Sequence, residues 1–300
     1  MGYDSGMTHY EIPGEPPEEG WDIHCHTVFS DGTRTPGGMV DQALRCGLNG
    51  VAITDHDTNA GWHDAVAAAS QSGMPLLRGT EITAAYGSIS VHMLGLLYDP
   101  ANERIAGMFS TTRRKRLLRT QHMVERMAKD FPITWEKVEQ QVKEGSRTTV
   151  GRPHIADALV AAGVYRNRSE AFAGAVSAQS KYYIPTPSPT ALEVVETVKQ
   201  AGGVVIVAHP GDRRRNSTLL SDEQIGALAD AGLDGLEVWH RGNLPDQRRR
   251  LLELAHRYGL LVTGGSDWHG DGKPNALGEN LTDEATIRLI AERGVLPPIA

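Results

Sequence analysis

The constraint that bears hardest on this chain is an alternation. Short apolar, β-branched runs recur along it, and most are followed by a segment with helical periodicity. The runs occupy residues 21–27, 50–56, 75–83, 89–97, 204–210, 235–240 and 261–270, each the length of a strand. Between them, Ala- and Leu-bearing stretches at 38–46, 61–72, 191–201, 222–231 and 246–258 repeat their apolar positions every three or four residues. Gly47, Gly73, Gly202, Gly232 and Gly259 follow these stretches, where a helix commonly stops on a residue free to take a left-handed conformation. Seven strands alternating with helices predict an α/β fold with parallel strands and a barrel-like core.

The alternation lapses between residues 99 and 191. Helical periodicity alone is legible there, at 102–129, 135–144, 153–162 and 169–178, and the stretch ends in the stiff segment Pro185-Thr-Pro-Ser-Pro189. The reading is an all-helical insertion, 99–191, in a barrel formed by 20–98 and 192–300, preceded by a disordered acidic tail at 1–19. Charge divides along the same line. Residues 101–191 carry 15 Lys and Arg against 8 Asp and Glu, a net of +7, which leaves −14 for the rest of a chain whose net charge is −7. A basic insertion on an acidic core predicts an anionic ligand held between the two. The run Arg113-Arg-Lys-Arg116, taken by itself, reads as a solvated helix face.

Composition excludes several classes. Hydrophobic residues at 40% and charged residues at 22% are ordinary globular usage, and no apolar run approaches the roughly 18 residues of a membrane span. The first twenty residues lack the basic start and apolar block of a secretory signal. Two cysteines, Cys25 and Cys46, have no CxxC spacing. Together these predict a cytoplasmic protein whose thiols are not its main chemistry.

Histidine is abundant, at 12 residues, and its placement is informative. His24 and His26 end the first predicted strand, Asp31 follows in its loop, His56 ends the second and Glu81 the third. His92 lies in the fourth, His209 ends the fifth, His240 the sixth, and Asp267 with His269 the seventh. Barrel active sites are built at the carboxyl ends of strands, where loops vary and strands fix position. His24 and His26 are two apart, so on a strand both face one side and can grip one ion; Asp267 and His269 repeat the spacing. Burying so many imidazoles and carboxylates unpaired would cost about 1–3 kcal/mol each. Ions account for them at no such cost. Six histidines and three carboxylates suffice for two or three divalent ions, and imidazole mixed with carboxylate suits Mn, Zn or Fe(II) better than Ca or Mg. Such a cluster generates hydroxide near neutral pH and steadies both oxygens of a phosphoryl transfer, so the reaction class it favours is hydrolysis.

Taken together, Asp22-Ile-His-Cys-His-Thr27, Ser30-Asp-Gly32, Ile53-Thr-Asp-His-Asp57, Gly79-Thr-Glu81, Val91-His-Met93, Ala208-His-Pro210 and Gly265-Ser-Asp-Trp-His-Gly270 resemble the polymerase and histidinol phosphatase (PHP) superfamily. The resemblance implies a distorted (β/α)7 barrel with three metals on His24, His26, Asp31, His56, Glu81, His92, His209, Asp267 and His269. It implies one ion on His24, His26, Glu81 and Asp267, a second on Glu81, His92 and His209, and a third on Asp31, His56 and His269. Within the insertion, Gly151-Arg-Pro-His-Ile-Ala-Asp-Ala-Leu-Val160 and Lys181-Tyr-Tyr-Ile-Pro185 resemble the nucleotide-acting phosphoesterases of that superfamily. This implies release of the 3′-phosphate of 3′,5′-bisphosphonucleosides through a metal-bridging hydroxide, leaving an AMP-like 5′-monophosphate. It also implies phosphate contacts from Arg152, His154 and Lys181.

The acid that protonates the departing ribose oxygen has two candidates, Asp57 and His240; either could instead serve in support, Asp57 by orienting His56 and His240 by packing beside Trp239. The competing activities are 5′-3′ trimming of short RNA and histidinol-phosphate-type hydrolysis, and a competing class is a metal-stabilised module that binds RNA or a protein without turnover. The expected partner is a nucleotide or short oligonucleotide, with neither a membrane nor a DNA duplex.

Overall fold

The computed structural model describes residues 10–300. Seven strands form one sheet in sequence order: β1 (Trp21–Asp22), β2 (Gly50–Ile53), β3 (Leu76–Tyr86), β4 (Ile89–Leu96), β5 (Val204–Val207), β6 (Gly235–Trp239) and β7 (Leu261–Gly264). Helices α1 (Pro36–Arg45), α2 (Trp62–Ser72), α7 (Ala191–Gln200), α8 (Asp222–Asp230), α9 (Pro245–Tyr258) and α10 (Glu284–Arg293) belong to this barrel; α3 (Glu103–Met127), α4 (Trp135–Glu139), α5 (Arg152–Ala161) and α6 (Arg168–Ala173) lie between β4 and α7.

Local sequence explains where these helices begin and end. Thr35, Asn102, Thr190, Ser221 and Asp283 accept hydrogen bonds from the first helical N–H groups, and Thr190 with Glu193 and Ser221 with Gln224 do so reciprocally. Gly73 (φ 72°) and Gly259 (φ 63°) close α2 and α9 in the left-handed conformation. No helix among the described residues is long and apolar enough to cross a membrane.

The strand order confirms the α/β barrel with one departure from parallel pairing. β4 runs antiparallel to both β3 and β5. Tyr86 pairs with Ile89 across Gly87 (φ 58°) and Ser88, so the two strands form a hairpin. Two residues cannot carry a crossover, and the strand must therefore reverse. The remaining pairs are parallel.

Closure depends on backbone just beyond β1 and β7. Cys25 bridges Trp268, the His26 N–H donates to the Trp268 carbonyl at 2.8 Å, and the Trp268 N–H donates to the His24 carbonyl at 3.2 Å. Alternation sorts each strand into two faces. Ile23, Ala52, Leu77, Leu94, Val204, Ile206 and Leu261 share one apolar cluster with Ile287 and Ile290 of α10. Val51, Ile53, Val205, Val207, Leu236 and Val262 pack against the surrounding helices. The inserted helices have an apolar cluster of their own around Met123, Met127, Ile155, Leu159 and Val176.

Several boundaries differ from those the sequence suggests. α4 and α6 stop well short of residues 144 and 178, and α10 carries no strand signal beside it to announce it. Of the acidic tail, residues 1–9 lie outside the described residues. Tyr10 is tied down: the Val262 N–H donates to its hydroxyl at 2.9 Å, and the hydroxyl lies 3.2 Å from Thr286 Oγ1.

Candidate metal centre

The carboxyl ends of the parallel strands, with the amino-terminal half of the antiparallel β4, converge on one buried cluster. Glu81 on β3 is its hub. Its Oε1 lies 2.6 Å from His92 Nδ1 and 3.0 Å from His209 Nε2, and its Oε2 lies 3.0 Å from His26 Nε2, 3.2 Å from His56 Nδ1 and 3.3 Å from His24 Nε2. Asp31 faces His269 Nε2 at 3.0 Å, and Asp267 Oδ1 faces His24 and His26 at 3.5 and 3.4 Å. All nine predicted residues are thus brought together. Three overlapping sets could hold an ion: His24, His26, Glu81 and Asp267; His26, Asp31, His56 and His269; and His56, Glu81 and His92. His209 joins the last through Glu81.

Whether these residues fit metal ions can be tested on atoms that lack a partner. His24 Nε2, His26 Nε2, His56 Nδ1, His269 Nε2, Asp31 Oδ1, Glu81 Oε2 and Asp267 Oδ1 are buried and make no hydrogen bond. Each would carry the full penalty of an unsatisfied polar group unless a cation sits among them. The opposite ring nitrogens of three histidines are engaged. His24 Nδ1 bonds Glu237 at 2.8 Å, His26 Nδ1 bonds Ser30 Oγ at 3.3 Å, and His269 Nδ1 bonds the Asp267 carbonyl at 2.7 Å. That pattern leaves each Nε2 lone pair facing inward, as ligation requires. The donor set fits divalent ions.

Electrostatics agree. Burial opposes ionisation of Glu81, yet His56, His92 and His24 hold its carboxyl well below the usual carboxylate range. Asp31 is depressed in the same way by His269 and His56, and Asp267 by Lys273 and Arg215. Burial pushes the His269 imidazole down to about 4. For His26 burial also acts downward, but Asp267 and Glu81 outweigh it and lift the ring to about 9. Three ionised carboxylates in a dry pocket attract cations.

Strained backbone aims several of these groups. Asp57 (φ 52°), His209 (φ 34°) and Asp267 (φ 54°) occupy the left-handed region, which costs a non-glycine residue about 1–3 kcal/mol. The left-handed backbone at Asp267 takes the pair off regular strand geometry: Asp267 faces His24 and His26 and His269 faces Asp31, the separate sets that the family resemblance implies.

Supporting residues escaped the sequence reading. Glu237 on β6 accepts from His24 through Oε1 and from the His209 N–H through Oε2 at 2.7 Å; a carboxylate inside the apolar run Gly235–Trp239 was the available signal. Asp55 accepts from Thr27 N, Thr27 Oγ1 and Ser30 Oγ at 2.6–2.7 Å, fixing the loop that carries Asp31. Arg116 belongs to the run read as a solvated face, yet its Nη1 donates to Asp57 Oδ2 at 2.9 Å and Thr83 Oγ1 at 2.7 Å. Arg215 and Lys273 both donate to Asp267 Oδ2.

Family membership follows from this site together with comparison. A PHP domain model matches residues 22–168. A crystal structure from Bifidobacterium adolescentis, described as that of a candidate metal-dependent phosphoesterase, shares 67% identity over 94% of this chain and 98% of its own, with a TM-score of 0.93. The chain belongs to the PHP domain family. As a PHP protein it is a metal-dependent phosphoric ester hydrolase, consistent with the cluster. It is also 29% identical over 259 residues to the 3′,5′-nucleoside bisphosphate phosphatase of Chromobacterium violaceum, covering 84% of this chain and 88% of that protein. Identity is again 29%, over 262 residues, to a 5′-3′ exoribonuclease of Haemophilus influenzae, covering 87% and 94%.

The other predicted residues of this PHP protein are placed as follows. His240 is buried; its Nδ1 accepts from the Gly242 N–H at 3.0 Å, which puts its own proton on Nε2, and Nε2 has no partner. The Asp57 carboxylate makes no hydrogen bond to the His56 ring; Thr83 N, Thr83 Oγ1 and Arg116 fill it instead. Arg152 donates to the Val176 carbonyl at 3.3 Å and lies over the rings of Phe172 and Tyr183. Burial lowers its pKa, and Arg116 and Arg215 are close enough to lower it further. His154 Nδ1 accepts from the Gly151 N–H at 3.2 Å, so its Nε2 carries the proton; the ring lines a cavity of about 330 Å³ beside Asp31 and Arg168. Lys181 stands apart. It pairs with Asp130 at 2.8 Å and is 72% exposed, beyond the end of α3 and roughly 20 Å along that helix from Arg116 at 1.5 Å per residue.

Proposed function

We propose that the chain removes the 3′-phosphate of 3′,5′-bisphosphonucleosides, giving phosphate and a nucleoside 5′-monophosphate. The observation that supports this reading is the reach of Arg116, from the inserted α3, to Asp57 and Thr83 close enough to act on His56, with Arg152 of α5 near enough to Arg116 and Arg215 for their charges to interact. A substrate with one phosphate on the ions and another on the insertion meets both. The likeness to the Chromobacterium bisphosphate phosphatase supports the same substrate class.

In this reading the ions, of the Mn, Zn or Fe class, rest on the nine residues named above. Bound there, two or three divalent ions polarise the ester and lower the pKa of water. Arg152, already held over two aromatic rings, keeps most of its N–H fork for the second phosphate. His154, with its proton on Nε2, lines the cavity beside Asp31 and Arg168 and is available there to a phosphate oxygen. His240, fixed as the Nε2–H tautomer, holds a proton at the edge of the cluster for the departing ribose oxygen. Asp57 serves as an anchor for Arg116, since its oxygens are already filled. Residues 99–191 act as a cap over the barrel, and the place of Lys181 at its outer end suits a longer substrate than a mononucleotide.

The test is steady-state phosphate release by Mn-reconstituted protein from 3′,5′-bisphosphoadenosine, histidinol phosphate and a 5′-phosphorylated pentaribonucleotide, each with a chelator control. Fast, chelator-sensitive release from the bisphosphate supports the proposal. Shortening of the pentamer with a slow bisphosphate reaction replaces it with RNA trimming, and silence on all three removes both.

A further inference from the structure

Arg215 and Lys273 converge on a single oxygen. Arg215 Nη2 and Lys273 Nζ donate to Asp267 Oδ2 at 2.9 and 2.8 Å, while Arg215 Nη1 lies 3.0 Å from His92 Nδ1. Two cations therefore share one carboxylate, whose other oxygen, Oδ1, faces His24 and His26. Each of the two side chains is 28% exposed, so both cations stand where the cluster meets solvent. Their donors are in surplus. Arginine has five N–H groups and lysine three, and these contacts use only a few.

The position of Arg215 is built into the chain. The Asp212 carbonyl accepts from the N–H groups of Arg215 and Asn216 at 3.1 and 3.2 Å, Asn216 Nδ2 donates to the Ser90 carbonyl at 2.8 Å, and the Gly211 N–H donates to Asn243 at 2.9 Å. The turn after β5 is pinned to β4 on one side and to the loop after β6 on the other. Its neighbour Arg214, by contrast, is 72% exposed and pairs within the turn with Asp212.

We propose that Arg215 and Lys273 clamp the phosphoryl group that is attacked, holding its non-bridging oxygens on the barrel side of the cluster. A planar guanidinium fork beside an ammonium matches the spread of charge over those oxygens. This places the reacting phosphate on the barrel and leaves Arg152, on the insertion, for the second one. The inference rests on the phosphoesterase chemistry of the site but not on the identity of its nucleotide.

The test uses inorganic phosphate as the ligand. Mn-reconstituted wild type, Arg215→Gln, Lys273→Met and Arg215→Lys are titrated with phosphate by calorimetry, and their metal content is measured by mass spectrometry. Each single variant keeps one cation on Asp267, so metal content should stay at the wild-type level. Phosphate affinity should fall at least tenfold in Arg215→Gln and Lys273→Met and recover in part in Arg215→Lys. Turnover should fall about a hundredfold on any accepted ester, mono- or bisphosphate, whereas Arg152→Gln should harm the bisphosphate alone. Phosphate affinity within twofold of wild type, or a loss of metal in parallel with the loss of affinity, overturns the clamp. Wild type that binds phosphate through Arg215 yet cleaves none of the three nucleotide and histidinol substrates would refute the substrate assignment and leave the clamp standing.

Discussion

Glu237→Gln isolates the contribution of a residue that lies outside the three candidate ligand sets. Glu237 is wholly buried, and its two oxygens accept from two donors, His24 Nδ1–H at 2.8 Å and the His209 N–H at 2.7 Å. Glutamine has nearly the same shape but offers one acceptor and one NH2, so one of the two pairings becomes donor against donor. Losing a hydrogen bond to a buried charged acceptor costs about 1.5–3 kcal/mol. At about 2–4 °C per kcal/mol for a chain somewhat shorter than this one, melting of the metal-free protein should fall by roughly 3–12 °C. The same change frees the His24 ring or the His209 backbone, and lost orientation of a ligand lowers metal affinity by about 10–100-fold. Competition with a fluorescent chelator measures the second quantity and calorimetry the first. A variant that binds Mn within threefold of wild type would refute the claim that Glu237 aims His24 and His209.

Further outcomes follow from other contacts. His209→Ala, or removal of metal by chelation, should abolish hydrolysis, the latter reversibly on adding Mn, as phosphate release will show. Arg116→Ala leaves the buried Asp57 carboxylate with Thr83 as its remaining partner and should destabilise by roughly 3 kcal/mol, read by denaturant titration. In the metal-free protein, the stability that His26 gains from its raised pKa is complete below pH 6.5 and drains away as pH rises toward about 9; for His269, lowered to about 4, stability is lost as pH falls from 6.5 toward 4. Melting temperature should therefore peak near pH 6.5, and a monotonic profile across pH 4–9 would contradict the assignment. Gly265→Ala puts a methyl group within 2.5 Å of His24 Cβ and 2.6 Å of Glu237 Oε1 and should reduce metal content sharply, measurable by mass spectrometry.

What the sequence reveals here is set by periodicity and spacing. The β5 run Val204–Val207 and the glycine-stopped helices announce themselves because each obeys a local rule. The convergence of nine ligand-type residues is legible for the same reason: strand ends in a barrel share one face of the molecule. What is not local is not legible. The sequence run ends at residue 83, and only pairing with β4 carries β3 on to Tyr86 and leaves the two-residue turn that reverses the chain. Arg116, Arg215 and Lys273 look like ordinary surface charge until the fold turns them inward. Asp57 lies 59 residues from Arg116 and Asp267 lies 52 from Arg215; Lys273 is only six residues from Asp267, but no helix or strand spacing pairs residues six apart across an irregular loop.

The barrel's seam has a consequence of its own. β1 and β7 share no continuous ladder; a bridge between Cys25 and Trp268 and two neighbouring hydrogen bonds join the ends of the hoop. Those few residues stand between His24 and His26 on one margin and Asp267 and His269 on the other. An ion held by His24, His26 and Asp267 would thus also be a clasp, fastening the first strand to the last. Metal site and architectural closure would then be one object, so a substitution that loosens these residues should let amide protons at His26 and Trp268 exchange long before the rest of the barrel does.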